Sequence, residues 1–232
     1  MTTASPGPAR PGTLYLVRHG QASFGTDDYD RLSDLGHRQA RRLGAYFQER
    51  SLRFDAVFTG TLRRQRETLE GIAAALPGLP VAREHTGLNE YDSHAVVHAV
   101  HPEPLPRPDT PELYRHHFRI LRGGLMAWME GRAQPAGMPS FADFRDGVRA
   151  ALAQALPHKG GRVLMVSSGG PISTALGLVL GLAPEAIIQL NYQIRNSSVT
   201  ELSFGAQRHS LLTYNTLPHL DQAEFTHWVT ST

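Results

Sequence analysis

The chain has 232 residues, 41% of them apolar, and a formal net charge of +2 from 23 basic and 21 acidic side chains. That is enough apolar material for a sizeable core in one large domain or two small ones, and no apolar run reaches the ~18 residues of a membrane span. Cysteine is absent, which excludes disulfides, thiol catalysis and cysteine-held metal; with no lysine-rich tail or aromatic–basic repeat, nothing points to nucleic acid.

Residues 1–12, MTTASPGPARPG, carry no signal-type apolar stretch and read as a flexible lead-in, so a cytoplasmic location is expected. A first strand is expected over TLYLV (13–17), which runs straight into Arg18, His19 and Gly20. LSDLGHRQARRLGAYFQER (32–50) sets Leu35, Ala40, Leu43 and Phe47 near one helix face, with Ser33 as the cap. A second strand, DAVFT (55–59), leads to the helix-like TLRRQRETLEGIAAAL (61–76), and PVARE (80–84) reads as a third strand. Residues 91–139 form a long insertion, with proline-rich HPEPLPRPDTPE and helix-like ELYRHHFRILRGGLMAWMEG, fit to cover the active site.

SFADFRDGVRAALAQAL (140–156) opens on Ser140 as a helix. RVLMVSS (162–168) is the fourth strand, and GPISTALGLVLGL (170–182) is a helix apolar enough to be mostly buried. SVTELSF (198–204) and HSLLTYN (209–215) are separated by a few residues and should pair antiparallel. Strand alternating with helix argues for a three-layer α/β/α sandwich: a mostly parallel central sheet with an antiparallel edge strand, in one domain over 13–232.

In such sheets ligands bind beyond the carboxyl ends of strands. The first strand delivers Arg18, His19 and Gly20; the second delivers Arg63 and Arg64 at a helix start; the fourth delivers Ser167, Ser168, Gly169 and Gly170. Helix amino ends attract anions, and arginine forks onto phosphate oxygens as lysine does not. Lys159 is the only lysine, so the positive charge is almost all guanidinium. Arg63 reads as a solvated helix residue. His94, His98 and His101 stand at helical spacing, but Pro102 follows and no acidic partner is near, so no metal is assigned.

LVRHGQ (16–21), LSDLGHRQA (32–40), TGTLRRQRET (59–68), LNE (88–90) and SSGGPI (167–172), in that order, resemble the histidine phosphatase superfamily in its phosphoglycerate-mutase-like branch. The resemblance runs from Leu14 to about Leu220. It implies that His19 is the nucleophile, taking the phosphoryl group as phosphohistidine. It implies phosphate-binding roles for Arg18 and for Arg64, the register with Leu62 and Thr68 selecting Arg64 over Arg63. Glu90 matches the acid–base carboxylate, and Gln21, Ser23, Ser168 and Gly169 would line the phosphate. No metal or cofactor is implied, because guanidinium groups can neutralise the transferred group.

Two positions depart from the family pattern. Ser168 stands where a histidine is usual, and Gly25 where asparagine is common. A neutral donor in place of a charged one implies turnover lower by about a decade, which a histidine at 168 should recover. The reading is a metal-independent phosphomonoester hydrolase for a small phosphorylated substrate, with specificity in residues 91–139; a homodimer is compatible with it. The alternative is a phospholigand-binding or scaffold protein with lost or weak turnover. A phosphoglycerate-type mutase is disfavoured, since YDSHAVVH (91–98) replaces the motif that dedicated mutases carry after the glutamate.

Overall fold

The computed structural model describes residues 11–23, 30–106, 109–205 and 208–231. Most of the expected lead-in (residues 1–10) and Gly25 therefore lie outside the described residues. The strands are β1 Gly12–Arg18, β2 Ala56–Thr59, β3 Arg83–Glu84, β4 Arg162–Ser167, β5 Val199–Phe204 and β6 His209–Thr216. They form one sheet in the order β3-β2-β4-β1-β5-β6. Strands β1 to β4 are parallel, whereas β5 pairs antiparallel with both β1 and β6.

The helices are α1 Asp34–Glu49, α2 Arg63–Ala75, α3 Ser93–His98, α4 Pro111–Met129, α5 Phe141–Ala153, α6 Gly169–Leu180 and α7 Pro184–Gln193. Strand alternation explains the layering. Tyr15 and Val17 of β1 pack with Leu164 and Val166 of β4 under Leu43, Phe47, Leu69 and Ile72 of α1 and α2. Leu14 and Leu16 point the other way, with Met165, under Val148, Leu152, Ile172 and Leu176 of α5 and α6. Both faces are covered, so the central strands read as unbroken apolar runs. Emptying one such position, Phe47→Ala for example, would cost about 3–5 kcal/mol.

Caps set the helix starts. Ser33 Oγ accepts from the Gly36 N–H at 3.1 Å and Ser140 Oγ from the Asp143 N–H at 3.1 Å. The insertion has its own small core, in which Val96, Leu125 and Trp128 pack with Ile188 of α7, and Tyr91, Phe141 and Phe144 border them. No described helix is long and apolar enough to cross a membrane.

Three elements differ from the sequence reading. The third strand shrinks to Arg83–Glu84, both exposed, because only Phe58 and Thr59 pair with it at the sheet edge. Helix α3 forms at the start of the insertion, where no element was assigned beyond the helical spacing of His94 and His98; Asp92 nucleates it, its carboxylate accepting from the N–H groups of His94 and Ala95. Helix α7 was also unforeseen, although Pro184 in its first turn and Glu185 are ordinary start signals.

Candidate active site

β1 and β4 run side by side, Arg18 opposite Ser167, and the His19 N–H donates to the Ser167 carbonyl at 2.9 Å. His19 and Ser168 therefore leave the sheet as neighbours. On the other flank of β4, the loop after β2 is held by the Gly60 N–H on the Val166 carbonyl at 3.2 Å. Three strand ends thus meet at one point.

His19 is only 2% exposed. Its Nδ1 lies 2.7 Å from the Gly20 carbonyl; a carbonyl can only accept, so Nδ1 carries the proton and Nε2 keeps a lone pair. Arg64 Nε donates to that nitrogen at 3.2 Å. Burial, then the Arg18 and Arg64 charges, push the imidazole well below its usual pKa. It is a neutral base with its unprotonated nitrogen against a guanidinium. The main chain is fixed too: the His19 carbonyl accepts from the Ser197 N–H at 3.1 Å, and the Gly20 N–H donates to Thr68 Oγ1 at 3.0 Å. A Cβ on Gly20 would sit 2.6 Å from the Gly36 carbonyl oxygen, so only glycine lets the first turn of α1 dock behind His19.

The arginines divide clearly. Arg64, the second residue of α2, is 7% exposed and reaches His19 while its Nη1 donates to Asp30 at 2.6 Å. Arg63 lies on the surface, paired with Glu67 at 2.7 Å. Arg18 turns its Nη1 to the carbonyls of Ile194, at 2.5 Å, and Ser231, at 3.2 Å. Its charge still bears on both His19 and Glu90.

Glu90 follows a 3-10 turn, Thr86–Leu88, and its two carboxylate oxygens each accept from the Gly170 N–H at 3.1 Å. The carboxylate caps the amino end of α6 from outside the helix. Burial raises its pKa, against the lowering effect of the Gly170 N–H and of Arg64 and Arg18; the net direction is upward. Burial thus favours the protonated carboxyl, a group able to give up a proton and take one back.

Ser168 is fully buried at the start of α6, and its Oγ accepts from Gln65 Nε2 at 2.8 Å. That amide lies against the hydroxyl, so the imidazole expected to improve the site at 168 would meet it. Gly169 lies against Asn191, whose Oδ1 would be 2.5 Å from an added Cβ. Gln21 and Ser23 serve the loop: Gln21 Oε1 accepts from Ser33 Oγ at 2.8 Å, and the Ser23 hydroxyl donates to the Leu32 carbonyl at 3.1 Å. His94 and His98 lie on α3, and His101 Nδ1 is 2.9 Å from the Glu103 carbonyl. Among the described residues no three His, Asp or Glu side chains converge as a metal site would need.

Sequence reasoning missed the amides. Gln39 Oε1 accepts from the Gln21 N–H at 2.8 Å, and its Nε2 donates to the Trp228 carbonyl at 2.6 Å. Asn89 clamps Thr61, accepting from its N–H and donating to its hydroxyl, both at 2.7 Å. Gln39 and Gln65 are each fully buried, one between Leu35 and Leu43 at four-residue spacing, the other on the stripe with Thr68, Leu69 and Ile72. A polar side chain on an apolar helix stripe is the signal that could have found both.

The family model for the histidine phosphatase superfamily (branch 1) matches residues 14–217. The 2,3-bisphosphoglycerate-dependent phosphoglycerate mutase of Chelativorans sp. is 31% identical over 193 residues, 77% of this chain and 86% of that protein. The mutase of the same description from Mesorhizobium japonicum is 28% identical over the same shares. Among solved structures, a phosphoserine phosphatase of Entamoeba histolytica in complex with phosphoserine superposes with a TM-score of 0.64 at 18% identity, covering 90% of this chain and 99% of that one. A mycobacterial glucosyl-3-phosphoglycerate phosphatase complexed with VO3 gives 0.61 at 22% identity, covering 88% and 99%. The structural likenesses show a shared fold.

Proposed function

Since the chain belongs to the histidine phosphatase superfamily, branch 1, a group containing phosphatases and phosphoglycerate mutases, we propose that it is a phosphomonoester hydrolase working through phosphohistidine on His19 without a metal ion. The carrying observation is the neutral, buried His19 with its Nε2 lone pair 3.2 Å from Arg64 Nε.

Binding of a phosphate dianion gives the Arg64 fork a better acceptor than imidazole, and Arg18 adds charge from the side of the C-terminal segment. The lone pair is released as the phosphorus arrives. Nε2 attacks phosphorus in line, the P–O bond to the alcohol breaks, and protonated Glu90 delivers its proton to the leaving oxygen. In the second half a water attacks the phosphoryl group, Glu90 takes the water's proton, and the P–N bond electrons return to Nε2. The guanidinium groups and the amino end of α6 balance the charge on the equatorial oxygens. Helices α3 and α4 lie beside Glu90 through Tyr91 and would supply the selection for the alcohol.

The curated relatives named above favour a second reading, a mutase that returns the phosphoryl group to another hydroxyl of a sugar acid. One experiment separates the readings. The protein is incubated with a 32P-labelled phosphomonoester, quenched in alkali, where phosphohistidine survives, and compared with His19→Ala. A hydrolase gives a labelled protein and free phosphate from several esters, whereas a mutase gives isomerised phosphoglycerate. A protein that binds vanadate but never takes label would be a phospholigand-binding protein instead.

A further inference from the structure

Ser168 has an unusual hydrogen-bond situation. Its hydroxyl oxygen accepts from Gln65 Nε2 at 2.8 Å, and the second proton of that amide goes to the Leu88 carbonyl at 2.7 Å. The other acceptor site of that carbonyl is filled by the Ser167 hydroxyl at 2.8 Å. Gln65 Oε1 faces the Leu62 N–H at 3.3 Å. An amide has two donor hydrogens and a carbonyl two acceptor sites, so both groups are fully committed. Ser168 cannot donate back to Gln65 Nε2, and the Leu88 carbonyl has no site left. Among the described residues no group accepts the Ser168 proton, although the side chain is fully buried. Gln65 is equally buried and follows Arg64, which touches His19; Ser168 leaves β4 beside His19.

We propose that Gln65 is a positioning residue: by holding the Ser168 oxygen as an acceptor, it aims the Ser168 proton at the phosphoryl group carried to His19. This rests on the hydrolase reading and deepens it. Gly60 is part of the device, because a Cβ there would lie 1.9 Å from Gln65 Oε1. A hydroxyl left to rotate would divide its time between donors and acceptors. One held as acceptor by a fixed amide is already oriented when the anion arrives, which is the preorganisation that transition-state stabilisation requires. Serine and glutamine together thus do at the fourth strand end what one larger donor could do alone.

A double-mutant cycle tests it, with p-nitrophenyl phosphate turnover and vanadate inhibition as readouts. Ser168→Ala and Gln65→Leu should each lower kcat/KM and weaken vanadate by about tenfold, the difference one hydrogen bond makes. Because Gln65 acts through Ser168, the pair together should lose no more than about twofold beyond Ser168→Ala alone. Losses that multiply to about a hundredfold would overturn the proposal, since a merely structural glutamine would harm both backgrounds alike. Gln65→Glu gives an independent readout that does not depend on how the leucine variant folds. Its carboxylate would capture the Ser168 proton while its acid form can still donate, so turnover should fall with rising pH through a limb that the parent lacks. That limb should shrink in Gln65→Glu/Ser168→Ala; an undiminished limb would mean charge repulsion alone and would also overturn the proposal. A parent without turnover, or turnover that survives His19→Ala, would refute the hydrolase reading instead, and the vanadate cycle would still decide the role of Gln65.

Discussion

Gly170→Ala isolates the hold on Glu90. An added Cβ would lie 2.1 Å from Glu90 Oε1 and 2.6 Å from a Tyr91 ring carbon, whereas real Cβ contacts stay beyond 3.0 Å. The carboxylate must therefore retreat by roughly 1 Å, and both 3.1 Å bonds from the Gly170 N–H are lost or bent. A displacement of ~1 Å at a catalytic group can cost on the order of a hundredfold in rate. Stability should change little, because alanine in a helix gains ~0.5–1 kcal/mol over glycine, offsetting part of the lost contact. The assay is kcat/KM on two esters. An alkyl phosphate needs its leaving oxygen protonated and should lose about a hundredfold; p-nitrophenyl phosphate, whose phenolate departs without a proton, should lose far less. Equal activity on the alkyl ester in variant and parent, at matched Tm, would refute Glu90 as the acid.

His19→Ala should abolish turnover and alkali-stable label while vanadate binding persists, measured by rapid quench and inhibition. Glu90→Gln should lower kcat/KM for alkyl esters by about 10²–10⁴; the parent's rate should fall as pH rises through Glu90's upward-shifted titration, and this limb should vanish in the variant. Ser168→His, contrary to the sequence expectation, should lower both stability, by about 1–3 kcal/mol from overpacking against Gln65, and turnover; the Gln65→Ala/Ser168→His pair should recover part of each, read by thermal unfolding and kinetics. His219, fully buried and bonded to Ser197 at 2.9 Å, has its pKa lowered to about 3 by burial and then by the Arg42 charge. The unfolded chain takes that proton first, so the stability it contributes is present above pH ~6.5 and is lost as pH falls toward 3, at up to ~1.4 kcal/mol per unit. His219→Gln should make denaturant stability less steep in pH over that range.

Particular residues show how far the sequence reaches. Alternating burial on both faces of β1 appears as an apolar run, and Ser33 and Ser140 announce their helices, because strands and caps are specified by residues close together in the chain. The order of the motifs carrying His19, Arg64, Glu90 and Ser168 was likewise legible, since each motif is local. What the chain order could not show was contact between distant segments: the Gly170 N–H on Glu90, 80 residues apart; Gln65 on Ser168, 103 apart; and Arg18 turned toward Ile194 and Ser231, 176 and 213 residues away. Gln65 and Gln39 read as polar interruptions of helix stripes, and only the packed structure supplies the buried partners that make an interior amide stable. Sequence alone determined the fold class and the chemical groups available, since periodicity and side-chain identity are properties of the chain. Tertiary structure decided which nitrogen of His19 keeps its lone pair, which arginine meets it and which side chain bonds Ser168, because tautomer, charge and hydrogen bonding depend on neighbours that only folding brings together.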